Sequence, residues 1–307
     1  MEVTLPALLL IDLNENGNNV RQLGLPAWKG EATVSSYRNG RKSGLTIDRD
    51  GLPQVVVLQN SSRPPDRTPH VIRSKDPAIT AKGSKPLDLS KATWLQHPLA
   101  TRAHKKLSDF EKTRNEVRAS WRDAFFYKAE DVDRNVSGLR PPQLGAIHGI
   151  QSHWTVSLEP GTVVLPTGVG KTETMIATLV AEMCDRVLVV VPTEALRTQL
   201  ATKFLTLGVL KDLNFSVIAD TAKYPVVGIL HHRPTTAKQV DSFFRKCNVL
   251  VTTMPLASLC NEEVTKRMAD LCTCLFIDEA HHAAAPKWAA FRDAFAKSRL
   301  VQFTATP

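Results

Sequence analysis

Leu165-Pro166-Thr167-Gly168-Val169-Gly170-Lys171-Thr172 is a glycine-containing turn that follows the apolar run 162–165 and precedes the helix-forming run 173–184. Without a Cβ at Gly168 and Gly170, backbone N–H groups can surround an anion, and a helix start adds partial positive charge. The pattern G-x-x-x-x-G-K-[ST] has a small residue where Leu165 stands. Strand, glycine turn, Lys-Thr and helix in this order predict a phosphate loop for a nucleoside triphosphate. A glycine turn without a ligand is the alternative.

A pair of carboxylates, Asp278 and Glu279, directly follows the apolar run 274–277. Adjacent carboxylates after a buried strand are costly unless they are used. Lys171 is expected to reach the β- and γ-phosphates, and Thr172 and Asp278 to hold Mg²⁺. Glu279 is then the base that orients and deprotonates the attacking water. A solvated loop with ordinary charges is the alternative.

From Leu139 onward, short apolar runs alternate with helix-forming runs. The predicted strands are 162–165, 186–191, 216–219, 226–230, 249–253, 274–278 and 300–303, and the predicted helices are 172–184, 194–205, 237–246, 262–271 and 287–297. Continuous Val/Leu/Ile runs that alternate with helices predict an α/β fold with a parallel sheet covered on both faces. In such sheets ligands gather at the carboxyl ends of the strands, where both motifs lie.

The first 138 residues follow a different pattern. Residues 1–90 read as a β-rich N-terminal region that ends in a linker rich in Pro, Ser and Lys, with a hairpin turn at Asn39-Gly40. Residues 91–138 read as a helical connector. Its Arg114, Arg118 and Arg122 could grip a phosphate backbone or lie on an ordinary amphipathic helix. The predicted organisation is this small α+β region followed by an ATP-binding domain at 139–307.

Composition narrows the class of protein. The 307 residues are 43% apolar and 22% charged, which is ordinary for a globular protein. We find neither a membrane span nor a signal peptide and expect a cytoplasmic protein with reduced cysteines. The net charge is +9, with 22 Lys/Arg against 16 Asp/Glu in residues 1–138 and 17 against 14 afterwards. A basic protein attracts polyanions, of which nucleic acid is the commonest in cells; solvated surface charge is the alternative.

Four motifs occur in a fixed order: Leu139-Arg140-Pro141-Pro142-Gln143, the phosphate loop, Asp278-Glu279-Ala280-His281-His282 and Phe303-Thr304-Ala305-Thr306-Pro307. Together they resemble the first motor domain of a superfamily 2 DEAD/DEAH-box helicase. The group that contains restriction-enzyme translocases and excision-repair helicases is the most similar. The resemblance covers residues 139–307 and implies a RecA-like domain that binds ATP and Mg²⁺, acts on nucleic acid, and works with a second motor domain in cis or in trans.

The resemblance also implies roles for single residues. Gln143 matches the glutamine that reads adenine, and a surface glutamine is its alternative. Thr304 and Thr306 match the motif that couples nucleotide state to nucleic-acid binding. His281 matches the last letter of the DEAH box, which contacts the cleft between the motor domains; a structural histidine is equally open. The remaining matches are the nucleotide-contacting loop residues Pro166, Thr167, Gly168, Val169, Gly170, Lys171 and Thr172, and the strand-backbone contacts Thr193, Thr252 and Thr253.

These observations predict the N-terminal portion of an ATP-dependent helicase or translocase, with DNA favoured over RNA. We expect the chain alone to be inactive, because the family draws an arginine finger from a second motor domain. The alternative from another class is a catalytically incomplete nucleic-acid-binding module or half of a split motor. A third hypothesis is a phosphate-loop ATPase that moves protein segments.

Overall fold

A computed structural model of the 307-residue chain describes residues 1–59, 63–65, 70–75, 86–100, 104–212, 214–279 and 286–306. Within them the strands are β1 (Glu2–Leu5), β2 (Leu8–Glu15), β3 (Asn18–Leu25), β4 (Trp28–Glu31), β5 (Thr33–Asn39), β6 (Lys42–Arg49), β7 (Leu52–Leu58), β8 (Val71–Arg73), β9 (Leu87–Asp88), β10 (Thr93–Leu95), β11 (Gly161–Val164), β12 (Val187–Val191), β13 (Val226–Ile229), β14 (Val249–Thr253), β15 (Cys274–Asp278) and β16 (Arg299–Thr304). The helices are α1 (Leu107–Ser120), α2 (Pro141–Val156), α3 (Lys171–Ala181), α4 (Glu194–Thr206), α5 (Ala237–Phe244), α6 (Met254–Ser258), α7 (Glu262–Leu271) and α8 (Pro286–Ala294).

The chain forms two compact units. The N-terminal unit comprises Met1–Leu10 and Leu23–Ala103, and the C-terminal unit comprises Ile11–Gln22 and His104–Pro307. These units do not coincide with the ranges 1–90, 91–138 and 139–307 expected from the sequence. Residues of the first 90 lie in the C-terminal unit, because β3 pairs antiparallel with β13 from Asn19–Ile229 to Gln22–Val226.

Two small sheets build the N-terminal unit. The first has the order β4-β1-β9 and the second the order β10-β8-β7-β6-β5. The expected hairpin is present, but its two turn residues are Gly40 and Arg41, one position later than predicted, because Asn39 is still paired with Lys42 between the antiparallel β5 and β6. Alternate residues of the second sheet form its core, as period-two patterning requires: Leu45, Ile47, Val55, Val57 and Ile72.

An eight-stranded sheet with the order β11-β16-β15-β12-β14-β13-β3-β2 forms the centre of the C-terminal unit. The neighbouring pairs among its first six strands are all parallel. Alternate residues of the fully buried β12 belong to separate hydrophobic clusters, one packed by α2, α3 and α4 and the other by α5 to α8. The predicted α/β fold with a parallel sheet covered on both faces is therefore confirmed.

Local predictions differ from the structure at a few elements. Residues 216–219 form no strand of the sheet; Ile218 makes only an isolated bridge with Phe125. Val217 and Ile218 are buried in the hydrophobic cluster to which α3 and α4 also contribute, while the backbone of the segment pairs with residues 124–126 through Ala219 N to Ala124 O at 2.8 Å. The helices α2 and α6 were not predicted, although each has a proline in its first two positions, which is a helix-start signal.

The connector helix α1 is shorter than the range 91–138. Two of its arginines agree with the reading as a packed amphipathic helix and not with a free basic face. Arg114 is buried and its Nη1 lies 2.6 Å from Asp185 Oδ1, and Arg118 Nε donates to the carbonyl of Met183 at 2.8 Å. Two of the three arginines thus fasten α1 within the C-terminal unit.

None of the described helices combines the length and the apolar character that a membrane crossing needs. The five cysteines are free, and four of them are buried, which agrees with the expectation of reduced core residues.

Candidate nucleotide site

The predicted phosphate loop connects β11 to α3. Leu165, the residue that departs from the pattern, is 3% exposed, and its N–H donates to the carbonyl of Thr304 at 2.9 Å. Gly168 has φ +84° and Gly170, the N-cap of α3, has φ +99°. Both lie in the left-handed region that glycine adopts without steric cost. The loop therefore delivers Lys171 and Thr172 as the first two residues of an eleven-residue helix, whose first N–H groups have no intrahelical acceptor.

Two residues at the start of α2 form hydrogen bonds to backbone carbonyls of this loop. Gln143 is 5% exposed; its Oε1 accepts from the Arg140 N–H at 2.8 Å, and its Nε2 donates to the Gly170 carbonyl at 3.3 Å. The Arg140 guanidinium donates to the Gly168 carbonyl at 2.8 Å. The structure thus brings Gln143 to the phosphate loop, whereas its reading of adenine stays a prediction. Arg140 was not among the predicted site residues, although it stands three residues before Gln143.

We expect the substitution Gly170→Ala to lower ATP affinity at least tenfold. A Cβ on Gly170 would lie 2.2 Å from Gln143 Nε2, and φ +99° is unfavourable for any residue with a side chain. The control is Gly145→Ala, since Gly145 lies in α2 and a Cβ there meets nothing within 4 Å. Titration with a fluorescent ATP analogue measures both. Equal affinities of the two variants would contradict the expected role of the loop geometry.

The carboxylate pair lies beside the loop lysine, and we call the space bordered by Lys171, Asp278 and Glu279 the pocket. Lys171 Nζ donates to Glu279 Oε1, and the two side chains are 12% and 23% exposed. Glu279 has φ +52°, a conformation uncommon for a non-glycine residue. Burial raises the pKa of the neighbouring Asp278 carboxyl; the Lys171 ammonium acts in the opposite direction and Glu279 in the same direction as burial. Lys171, Asp278 and Glu279 therefore form one electrostatic group.

Asp278 has the properties of a cation ligand. The residue is 5% exposed, and its Oδ1 is buried with no hydrogen-bond partner among the described residues. A buried carboxylate oxygen without a partner is costly, and Mg²⁺ is commonly held by one or two carboxylates together with substrate phosphates. Asp278 and the Thr172 hydroxyl are oxygen donors of the kind that this ion prefers. The donor set fits Mg²⁺.

Sheet order explains why the motifs converge. Strand β16 lies between β11 and β15, with Thr304 paired to Val164 and Phe303 paired to Asp278. Thr304 thus stands at the carboxyl ends of both motif-bearing strands. Its Oγ1 donates to the Thr306 carbonyl at 2.8 Å and accepts from the Thr306 N–H at 3.3 Å. Thr304 and Thr306 are therefore joined to each other next to the pocket, and their coupling role stays a prediction.

The predicted contacts to a nucleic-acid backbone lie at the same edge of the sheet. β12 and β14 are adjacent with Val191 opposite Thr253. Thr193 Oγ1 caps α4 by accepting from Leu196 N at 3.3 Å, and Thr253 Oγ1 caps α6 by accepting from Leu256 N. Thr252 Oγ1 is buried without a partner among the described residues. Helix capping accounts for two of these hydroxyls, and contact with nucleic acid stays a prediction. His281 lies outside the described residues.

One known protein family matches the part of the chain that contains the four motifs. A family model described as "Type III restriction enzyme, res subunit" matches residues 137–307, more than half of the chain. No curated protein matches significantly in sequence.

Solved structures also match. The UvsW helicase from bacteriophage T4 matches with 14% identity and a TM-score of 0.38, over 72% of this chain and 65% of that one. The Hef helicase domain from Pyrococcus furiosus matches with 22% identity and a TM-score of 0.35, over 52% of this chain and 32% of that one. The chain thus spans less than two thirds of the length of each.

Proposed function

Because the family model covers more than half of its residues, the chain belongs to the family of type III restriction enzyme res subunits, and we propose that its C-terminal unit is the ATP-binding half of a nucleic-acid motor. The convergence of Lys171, Asp278 and Glu279 in one pocket carries this proposal. A phosphate-loop lysine beside two acids is the arrangement needed to bind and hydrolyse a nucleoside triphosphate.

Each residue of the pocket has a role in this proposal. The N–H groups around Gly168 and Gly170 surround the phosphates, and the Lys171 ammonium leaves Glu279 to neutralise the β- and γ-phosphates. Thr172 and Asp278 would hold Mg²⁺, which when bound neutralises charge that develops on the transferred phosphoryl group. Glu279, released from Lys171, orients a water and accepts its proton. Asp278 and Glu279 thus divide metal binding and base chemistry between neighbouring carboxylates.

Hydrolysis needs more than this pocket in the proposed mechanism. In related phosphoryl-transfer enzymes an arginine from a second domain contributes roughly 10³- to 10⁵-fold to turnover. We therefore propose that a second motor domain, in cis or in trans, completes the site. Nucleic acid, with DNA favoured over RNA, would pass over the strand ends that carry Thr193 and Thr253, where hydroxyls and N–H groups suit phosphate oxygens.

Nucleotide titration of the 307-residue chain tests the proposal. We expect weak ATP binding that strengthens when Mg²⁺ is added, with negligible hydrolysis in the presence of single-stranded DNA, duplex DNA or RNA. Absence of ATP binding would contradict the nucleotide site. Robust turnover stimulated by nucleic acid would contradict the need for a second motor domain and leave the site itself intact.

A catalytically incomplete nucleic-acid-binding module is the second candidate, and the net charge of +9 favours it. The two candidates differ in whether ATP binding changes the affinity for nucleic acid. A motor changes its nucleic-acid affinity when a non-hydrolysable ATP analogue binds, because nucleotide and nucleic acid select the same closed state. A module that only binds nucleic acid keeps the same affinity with and without the analogue.

A further inference from the structure

One end of the five-stranded sheet in the N-terminal unit gathers positive charge. Register places Arg73, Leu58, Gly44 and Tyr37 in one row across β8, β7, β6 and β5. Arg38 follows Tyr37 directly, and Lys42 lies two residues before Gly44 on the partner strand. The hairpin turn between them has Gly40 at φ +59° and contributes Arg41. We call these four residues, Arg38, Arg41, Lys42 and Arg73, the cationic sheet end.

The cationic sheet end is not neutralised by any residue that the structure describes. Arg38 and Arg41 are exposed, and Lys42 and Arg73 are half-buried. Among the described residues, no ion pair with a carboxylate is formed by any of the four. Lys42 Nζ donates instead to the carbonyls of Arg63 at 3.1 Å and Pro64 at 3.0 Å, which fixes the ammonium here without neutralising it. Within the described part of the chain, no carboxylate therefore neutralises the positive charge at this end.

Among the described residues of this sheet and its turns, the acids lie at the other end. Asp48 pairs with Thr33 at the far end of the β5–β6 hairpin, and Asp50 lies in the turn that follows. Six residues of strand separate Lys42 from Asp48, about 20 Å at ~3.3 Å per residue. This exceeds the Debye length of about 8 Å at physiological ionic strength, so Asp48 does not screen the cations. The whole unit carries 13 Lys/Arg against 7 Asp/Glu.

We propose that the cationic sheet end binds the phosphate backbone of nucleic acid, as a contact surface separate from the strand ends of the C-terminal unit. Arginine and lysine are the usual phosphate ligands, and arginine presents a fork of donors that matches phosphate oxygens. The contact is independent of base sequence and of ATP. The choice of nucleic acid among polyanions rests on the proposed function, because the same chain carries the motor site.

Charge removal at this end, compared with equal charge removal elsewhere in the unit, tests the proposal. The test variant is R38Q/R41Q and the control is K29Q/R49Q, because Lys29 lies in β4 of the other sheet and Arg49 pairs with Leu52 at the end of β6 that lies away from the cationic sheet end. Fluorescence anisotropy of a labelled 30-base-pair duplex and of its single strand gives the affinity of each full chain between 50 and 300 mM NaCl without ATP. Thermal unfolding checks that both variants are folded.

We expect R38Q/R41Q to reduce the slope of log affinity against log salt by about 2, since each lost phosphate contact lowers it by about 0.9 on duplex DNA. Affinity at 100 mM salt should fall about tenfold, while K29Q/R49Q leaves the slope within about 0.5 of the original. R38K/R41K, which keeps the charge, should keep most of the slope. Equal slopes for the test and control variants would overturn the proposal.

Two further measurements distinguish binding of nucleic acid from binding of an anionic membrane, and failure of this proposal from failure of the proposed function. Vesicles of phosphatidylserine and phosphatidylcholine are titrated with the same variants, and a loss of vesicle binding with unchanged duplex binding would overturn the choice of nucleic acid. ATP binding and the salt dependence of duplex binding are also measured for the variant Lys171→Ala. If that variant still binds ATP, the proposed function fails, whereas the ATP-independent salt slope still decides whether the cationic sheet end binds nucleic acid.

Discussion

Replacing Lys171 with alanine should lower the affinity of the chain for ATP at least a hundredfold. The Lys171 ammonium is 12% exposed and contacts Glu279, and it also acts on the buried Asp278. Without it, two acids face the incoming triphosphate with no neutralising side chain between them. Each hydrogen bond to a charged group contributes about 1.5–3 kcal/mol, and every 1.4 kcal/mol is a factor of ten in affinity, so losing the contacts to both the β- and γ-phosphates corresponds to a hundredfold or more.

The matched control for this variant is Lys223→Ala. Lys223 also pairs with a glutamate, Glu116, at 3.4 Å, but the pair is exposed and lies on α1 and a surface turn. ATP affinity of this control should stay within twofold. Because Lys171→Ala leaves Glu279 and Asp278 buried together, the double variant K171A/E279Q is measured as well. It removes both charges of the pair and should remain folded without regaining ATP binding. Unchanged binding of a fluorescent ATP analogue by K171A would remove the site assignment.

The sequence was sufficient to predict that the phosphate loop and the carboxylate pair lie together, because short sequence patterns identify the strands that they follow. An apolar run before the glycine turn and another before Asp278-Glu279 are strands of a parallel sheet, and parallel strands present their carboxyl ends at one edge. In the observed sheet, β16 lies between β11, which leads into the phosphate loop, and β15, which ends at Asp278. The family match confirms the predicted resemblance to the first motor domain of a superfamily 2 helicase.

Contacts between residues distant in sequence could not be predicted in this way. The hairpin around Asn18 joins the C-terminal unit because β3 pairs with β13, some 200 residues later, and nothing local marks that partner. Asn18 Oδ1 accepts from the backbone N–H groups of His231 and His232 at 2.7 and 2.8 Å, and Glu15 binds Ser242 and Lys246. The sequence shows polar turn residues here, and only the fold shows what they contact.

The surroundings of residues 216–219 and of Arg140 could not be predicted for the same reason, since they depend on contacts with distant parts of the chain. Val217 and Ile218 are apolar and buried, which is the pattern of a buried strand, yet they fill the core from a turn outside the sheet. Hydrophobic runs of four residues do not distinguish these cases. Arg140 reads as a surface cation in sequence, and its bond to the Gly168 carbonyl depends on where α2 begins relative to the phosphate loop.

Replacing Glu279 with glutamine should change ATP binding and turnover in opposite directions. The phosphates compete with the Glu279 carboxylate for the Lys171 ammonium, so a neutral amide weakens that competition and removes one negative charge from the pocket. A hydrogen bond between charged groups contributes about 1.5–3 kcal/mol and a neutral one about 0.5–1.5 kcal/mol, and a difference of about 1.4 kcal/mol corresponds to ATP binding about tenfold tighter. Loss of the proposed base should lower turnover about 10²- to 10⁴-fold.

The control for Glu279→Gln is Glu173→Gln, which removes the same charge on the other side of the loop. Glu173 lies in the first turn of α3 and pairs with Lys203 at 2.7 Å instead of Lys171. Affinity is measured on the 307-residue chain, and turnover on a form of the protein with measurable ATPase activity. Because Glu173→Gln leaves Lys171 paired with Glu279, it should leave turnover within a few-fold. If both variants bind ATP equally tightly, the gain reflects general electrostatics, and normal turnover by Glu279→Gln would exclude Glu279 as the base.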